Sequence, residues 1–223
     1  MSQIEQQTPD PVSVPARVAA SKTPIRMESR GIVLGSMDEL ARFAQTVCDS
    51  GLAPKGLTTP QAVAIAVQMG LEVGLSPMAA LQNIAVINGR PTIWGDAMLA
   101  VCRNTGEMDV FSEWYESGGV RATRSPSKWS DADCAVCLVK RAGQEEQETS
   151  FSVADAKLAG LWGKAGPWTQ YPARMLRFRA RSFALRDQFG DALRGLKAAE
   201  EAMDEPINVT PRPAFTSAPD VQP

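Results

Sequence analysis

Histidine is absent from this chain of 223 residues, and aromatic residues make up only 6% of it. Without imidazole, Ser-His-Asp and Cys-His catalysis and HExxH zinc sites are excluded. Long apolar runs are also missing, since stretches such as 63–69 are far shorter than the ~20 residues that cross a bilayer, and no basic-then-apolar leader opens the chain. These absences predict a cytoplasmic protein.

Cysteine and glycine patterns complete no cofactor site either. Cys134 and Cys137 lie three residues apart in a strand-like run, where side chains point to opposite faces, and no second pair completes a zinc site. The segment from Gly160 to Lys164 lacks the residue order of a phosphate-binding loop. We therefore expect reduced thiols, no metal site and no use of ATP, while a Mg²⁺ requirement stays open.

Proline-rich ends flank a central region. Residues 1–28 and 204–223 combine many prolines with small and polar residues, a composition typical of disorder. The region 29–203 has the size of one domain and is long enough to bury a core. We expect a disordered arm, one folded core and a disordered tail.

Capping and periodicity signals predict the elements of the core. Ser36 and Glu39 form a capping-box pattern for a helix over 36–51, and Thr59-Pro60 begins a second, apolar helix. Asn88-Gly89 predicts a β-hairpin. Strand-like runs follow at 108–115, 119–123, 134–141 and 148–153. The predicted class is α+β, with a hairpin and a small antiparallel meander packed against several helices.

One region carries most of the positive charge. Residues 157–186 hold seven basic residues and no acidic one, although the net charge of the chain is −2. A helix predicted over 172–189 places Arg174, Arg177 and Arg181 in one row and Arg179 and Arg186 in another, with apolar sectors between them. Such a helix should be wedged into the protein, with its arginines lining a groove.

Aromatic residues precede this basic helix. Trp162, Trp168 and Tyr171 could stack on bases beside the arginines, as single-stranded nucleic acid requires, although Trp168 fits a core position equally well. The candidate DNA-binding residues are Lys164, Trp168, Arg174, Arg177, Arg179, Arg181 and Arg186. The pattern predicts that this long helix lines a DNA groove.

Two blocks of sequence resemble the RecT and Red-beta family of phage single-strand annealing proteins. The segment GPWTQYPARMLRFRA (166–180) is similar to the family signature GPWxxxPxRMLRxKA. The segment GLSP (74–77), the hairpin INGRP (87–91) and Asp96 resemble a second family block in the right order. The resemblance covers roughly residues 36–203.

The resemblance implies a protein that coats single-stranded DNA without ATP, forms rings or helical filaments and anneals complementary strands in phage recombination within a bacterial host cell. It places Arg174, Arg177, Arg179 and Arg186 at cationic positions of the family, Arg179 standing where the signature has lysine. This chain has Ala173 where Red-beta has another basic residue, so one phosphate contact is either missing or made by Lys164 or Arg181. A 5′–3′ exonuclease and a host single-strand-binding protein are implied partners. In Red-beta these dock on a helical C-terminal domain, to which the resemblance does not extend.

Two other functions remain open at this point. A passive single-strand binder would use the same groove without promoting pairing. A metal-dependent nuclease would use Asp131 and Asp133, with Glu145, Glu146 or Glu148 as further ligands. However, Leu138 stands where a carboxylate nuclease carries an acid two residues before its lysine, so a solvated turn explains the two aspartates better.

Overall fold

The computed structural model describes residues 26–28 and 31–205. The helices are α1 (Met37–Asp49), α2 (Pro60–Glu72), α3 (Pro77–Asn83), α4 (Gly95–Asn104), α5 (Val153–Leu158), α6 (Pro167–Gln170), α7 (Pro172–Leu193) and α8 (Ala199–Ala202). The strands are β1 (Arg26–Glu28), β2 (Gly31–Val33), β3 (Ile84–Ile87), β4 (Arg90–Ile93), β5 (Met108–Ser117), β6 (Val120–Ala122), β7 (Cys134–Arg141), β8 (Gln147–Ser152) and β9 (Lys197–Ala198). The predicted α+β class is confirmed.

Local capping explains where the first two helices begin. The Ser36 hydroxyl accepts a hydrogen bond from the Glu39 amide at 3.2 Å, and the Glu39 carboxylate accepts one from the Gly35 amide at 2.7 Å. Thr59 caps α2 in the same way, through the Ala62 amide. Both predicted N-termini are confirmed, because each cap satisfies an amide that the first helical turn leaves unpaired.

A glycine sets the close packing of α2 on α3. A Cβ atom at Gly70 would lie only 2.2 Å from the Cβ of Ala80, so no larger residue fits at this crossing. The two helices bend by 107° around the loop that joins them. The GLSP segment (74–77) forms this sharp corner between the two helices.

The predicted hairpin is β3 and β4, with Asn88 and Gly89 at positive φ as a type I′ turn requires. The third strand of this sheet, β9, pairs in parallel with β4 and was not predicted. It brings the end of the described chain back to the hairpin, where the Asn88 amide group donates to the carbonyl of Ala202.

The larger sheet has four strands in the order β6-β5-β7-β8, all antiparallel. A simple meander would place β6 between β5 and β7, so the predicted order is wrong. The short β6 pairs with the outer edge of β5, and the chain then crosses back through a loop to reach β7. This loop, residues 123–133, therefore lies at the end of the sheet, next to the start of α7.

Helix α7 is wedged between this sheet and the helices α4 and α8, as its two apolar sectors predicted. Its fully buried side chains include Leu176, Leu185 and Phe189. The ring of Phe183 packs edge to face on that of Phe151, with the ring centres 5.9 Å apart. On the sheet, Cys137 packs into this main core, whereas Cys134 belongs to a small cluster on the opposite face. The prediction that these thiols point apart is confirmed.

The predicted end of the long helix at 189 coincides with a kink in α7. The helix kinks at Phe189, where φ is −128°, and then continues to Leu193. The Arg141 guanidinium holds this last turn by hydrogen bonds to the carboxylate of Asp191 and the carbonyl of Gln188. These contacts come from β7, so the local sequence did not predict them.

Both predicted disordered ends need correction at their inner borders. Strand β1 lies within the 1–28 arm and pairs with β2. At the other end, Asp204 and Glu205 form ion pairs with the core. The rest of the predicted arm and tail lies outside the described residues. Within the described part, no single helix is long and apolar enough to span a membrane, and only the bent pair α2 and α3 together meets that test.

Candidate nucleic-acid interface

An open cleft of about 350 Å³ lies at the beginning of α7. Its walls come from the last turn before the helix, the first two helical turns, the end of β5 and the loop 123–133. The lining residues that carry aromatic or cationic groups are Tyr115, Trp129, Tyr171, Arg174 and Arg177. The structure thus brings together two predicted arginines, one predicted aromatic residue and two aromatic residues that the sequence analysis did not single out.

The aromatic rings of Tyr115 and Trp129 line this cleft, and Trp162 packs against Trp129. The rings of Tyr115 and Trp129 pack edge to face with their centres 6.3 Å apart, and those of Trp129 and Trp162 do so with their centres 5.7 Å apart. The Tyr115 hydroxyl donates to the carbonyl of Ala173 at 3.2 Å, and burial raises the pKa of Tyr115. Trp129 is half-buried and Tyr171 is 63% exposed, so the cleft presents aromatic surface to solvent.

Two arginines stand beside these rings. The guanidinium of Arg177 lies 5.7 Å from the Tyr115 ring centre, and among residues 31–205 it has no carboxylate partner. Arg174 is exposed and stacks on the ring of Phe178 at 4.6 Å, with its one ion pair to the exposed carboxylate of Asp96. Both charges therefore remain available to an anion from solvent.

The loop 123–133 adds charge to the same end of the molecule. Arg124 and Lys128 are exposed there, on either side of Ser125 and close in sequence to Trp129. The sequence analysis missed this loop because it looked for cations on one helix. The signal was present, since between Glu116 and Asp131 the chain carries three basic residues and no acidic one.

Arg181 does not line the cleft, contrary to the prediction. It is buried and donates two hydrogen bonds of 2.7 Å to the Glu113 carboxylate and one of 2.9 Å to Asp96. Burial alone would lower the pKa of Arg181, but the two carboxylates raise it. Arg181 joins α7 to β5 and α4, and it is a neutralised structural cation.

Trp168, Lys164 and Arg179 converge on a single carboxylate. Asp204 accepts hydrogen bonds from the Trp168 indole at 2.8 Å, the Arg179 guanidinium at 2.8 Å and the Lys164 ammonium at 3.1 Å. Burial alone would raise the pKa of Asp204, but these three donors together hold it below its usual range. The Trp168 ring is buried, so its prediction as a stacking surface is wrong and the core alternative is correct.

Arg186 is covered in the same manner. It pairs with the buried Glu201 at 3.2 Å, and Glu201 also accepts a hydrogen bond from the Ser182 hydroxyl. The covering residues belong to 199–205, which we call the acidic segment because four of its seven residues are Asp or Glu. The predicted second row, Arg179 and Arg186, therefore lies under the acidic segment and does not line an open groove.

The two aspartates considered for a nuclease are engaged elsewhere. Asp133 is buried and accepts a hydrogen bond from the Ser130 amide, which holds the pKa of its carboxyl below the usual range. Asp131 forms an ion pair with Lys157. Within residues 31–205 no group of three Cys, Asp or Glu side chains is arranged to hold a metal ion.

Comparisons of the chain with family models, with curated proteins and with solved structures found no match.

Proposed function

We propose that this protein binds single-stranded DNA and anneals complementary strands without ATP. The observation that supports this most is the open cleft, in which Arg177, without a carboxylate partner among residues 31–205, and Arg174, paired only at the surface with Asp96, stand near the aromatic surface of Trp129 and Tyr171. Phosphates would contact Arg174 and Arg177, and an unstacked base would lie against Tyr171 or Trp129. Neutralising phosphates and stacking on any base is how sequence-independent single-strand binders work.

The shape of the cleft favours a single strand over a duplex. Aromatic faces can stack only on bases that are not already stacked in a helix. At about 350 Å³ the cleft is at the small end of binding pockets, so one protomer would hold only a short piece of strand. Several protomers would then share one strand, in agreement with the rings or filaments that the family resemblance implies.

Annealing needs no chemistry from the protein. If the strand is held by its phosphates and one face of its bases, pairing edges stay open to a second strand. Each matched step then contributes about 1.4 kcal/mol on average, which makes nucleotide hydrolysis unnecessary. A role in phage-type recombination, with an exonuclease and a host single-strand-binding protein as partners, rests on the sequence resemblance alone.

The pairing rate of two complementary fluorescent oligonucleotides without ATP tests this proposal. The wild type should accelerate pairing, and Arg174→Gln/Arg177→Gln should lose the acceleration. Lys55→Gln/Lys140→Gln removes the same charge and should keep it, because Lys55 lies between α1 and α2 and Lys140 lies at the far end of β7 from Ala135, the strand partner of Tyr115.

Two results would contradict the annealing mechanism. Unchanged or slower pairing by a wild type that still binds single strands would identify a passive coat. Equal losses in the two double variants would show that net charge matters and the cleft does not.

A further inference from the structure

In the acidic segment, the carboxylates of Glu201 and Asp204 both reach buried donors, but their backbones are placed differently. Glu201 belongs to α8, whose Ala199 and Ala202 are buried in the core, so its position is fixed. Asp204 follows α8, after the exposed Met203 and before the exposed Glu205. Its backbone lies at the surface while its side chain, 8% exposed, reaches into the donors of Lys164, Trp168 and Arg179. We call these three donor residues the cage.

The cage has more donors than Asp204 uses. The guanidinium of Arg179 makes one hydrogen bond to Asp204, whereas an arginine offers five N–H donors. Its buried Nε has no hydrogen-bond partner among the described residues. Burying an unpaired donor is unfavourable, so a ligand with more acceptor oxygens than a carboxylate would gain at this site.

A phosphodiester meets this requirement at no cost in charge balance. It carries one negative charge, as the Asp204 carboxylate does, and arginine binds phosphate oxygens through two parallel N–H bonds. The side chain of Lys164 is 43% exposed, which gives a path from solvent into the cage. Helix α6 joins the cage to the open cleft, because Trp168 belongs to the cage and Gln170 lines the cleft.

We propose that the cage is a second phosphate site, and that Asp204 occupies it as an internal substitute for phosphate until a strand bound in the cleft displaces it. This inference rests on the proposed single-strand binding and adds its regulation. Displacing Asp204 would break the hydrogen bond from its amide to the carbonyl of Glu201, while the buried residues of α8 stay in place. Binding in the cleft alone would be weaker, and the full site would form only on a strand long enough to reach both places.

Asp204→Asn in the full chain tests the proposal, with Glu205→Gln as the matched control. Glu205 is the adjacent acid, and its ion pair among the described residues is with the partly exposed Lys197, so the control removes the same charge from the same segment. Inorganic phosphate should raise the unfolding temperature of Asp204→Asn more than chloride at equal ionic strength does, and more than it does for Glu205→Gln. This readout needs no DNA.

DNA binding gives the second readout. Asp204→Asn should bind an oligo(dT) about tenfold more tightly, the effect of roughly one charge-assisted hydrogen bond. The fall of log K with log salt in the wild type should become shallower by about 0.7 in Lys164→Gln, because one phosphate contact is lost. Lys164→Gln removes only the partly exposed Lys164 ammonium from its ion pair with Asp204. This variant therefore still tests the proposal if Asp204→Asn fails to fold.

The outcomes separate the two proposals. If phosphate affects Asp204→Asn and Glu205→Gln equally, or if Lys164→Gln keeps the wild-type salt slope, Asp204 is a structural ion-pair partner and the inference is wrong. If Asp204→Asn responds to phosphate but the wild type binds no single-stranded DNA, the cage stands and the proposed function fails.

Discussion

Two pairs of arginines on α7 lie close together in the sequence but have opposite surroundings in the fold. At the start of the helix, Arg174 and Arg177 stand beside open aromatic surface, and Arg177 has no carboxylate partner among residues 31–205. On the other side, Arg179 and Arg186 lie under the acidic segment, each paired with a carboxylate. A basic helix is therefore not a uniform nucleic-acid surface. What decides the role of each arginine is whether the fold brings a largely buried acid to it, since the acid beside Arg174, Asp96, is exposed.

The largest expected effect concerns a cation that belongs to neither surface. Arg181→Met should lower the free energy of unfolding by about 3–5 kcal/mol, because it leaves the Glu113 carboxylate, with only 11% of its side chain exposed, without its counter-charge. Asp96 pairs with Arg181 and also, at the surface, with Arg174. Arg174→Met breaks only this surface ion pair and should change the free energy of unfolding by no more than about 1 kcal/mol. Urea unfolding of both variants measures the difference. Equal losses would show that Arg181 is no more structural than Arg174.

A smaller effect is expected at the aromatic wall of the cleft. Tyr171→Ala should weaken binding of oligo(dT) by about 1–3 kcal/mol, roughly 5- to 150-fold, if a base stacks on this ring. Leu158→Ala removes an exposed apolar side chain from α5 outside the cleft and is the control, since Leu158 is 91% exposed. Fluorescence anisotropy at one salt concentration compares the two. Wild-type affinity in Tyr171→Ala would remove Tyr171 from the site.

Local sequence patterns predicted much of the scaffold. The caps at Ser36 and Thr59, the Asn88-Gly89 hairpin and the wedged helix α7 depend on residues within a few positions of each other, which are visible in one sequence. The strand order was not predictable in this way, because β6 pairs across the edge of β5 and only the folded chain shows which edge is free. The parallel β4 and β9 pair was missed for the same reason.

The candidate site was predicted in part. Periodicity separated Arg174 and Arg177 from Arg179 and Arg186, but it wrongly added Arg181 to the first row. It also could not show that the acidic segment folds back over the second row, since Asp204 lies 25 residues from Arg179. The pairing of Arg181 with Glu113 spans 68 residues and was equally invisible. Tyr115 and Trp129 were overlooked because a strand end and a loop bring them to the helix, and neither lies in the basic region.

The salt dependence of single-strand affinity in Arg177→Gln and Arg186→Gln tests most directly whether Arg177, in the open cleft, contacts DNA while Arg186 stays paired with Glu201. Loss of the Arg177 contact should make the slope of log K against log salt shallower by about 0.7. The slope for Arg186→Gln should stay at the wild-type value, because Glu201 occupies that arginine with or without DNA. A wild-type slope in Arg177→Gln, or an equal reduction in Arg186→Gln, would contradict the account.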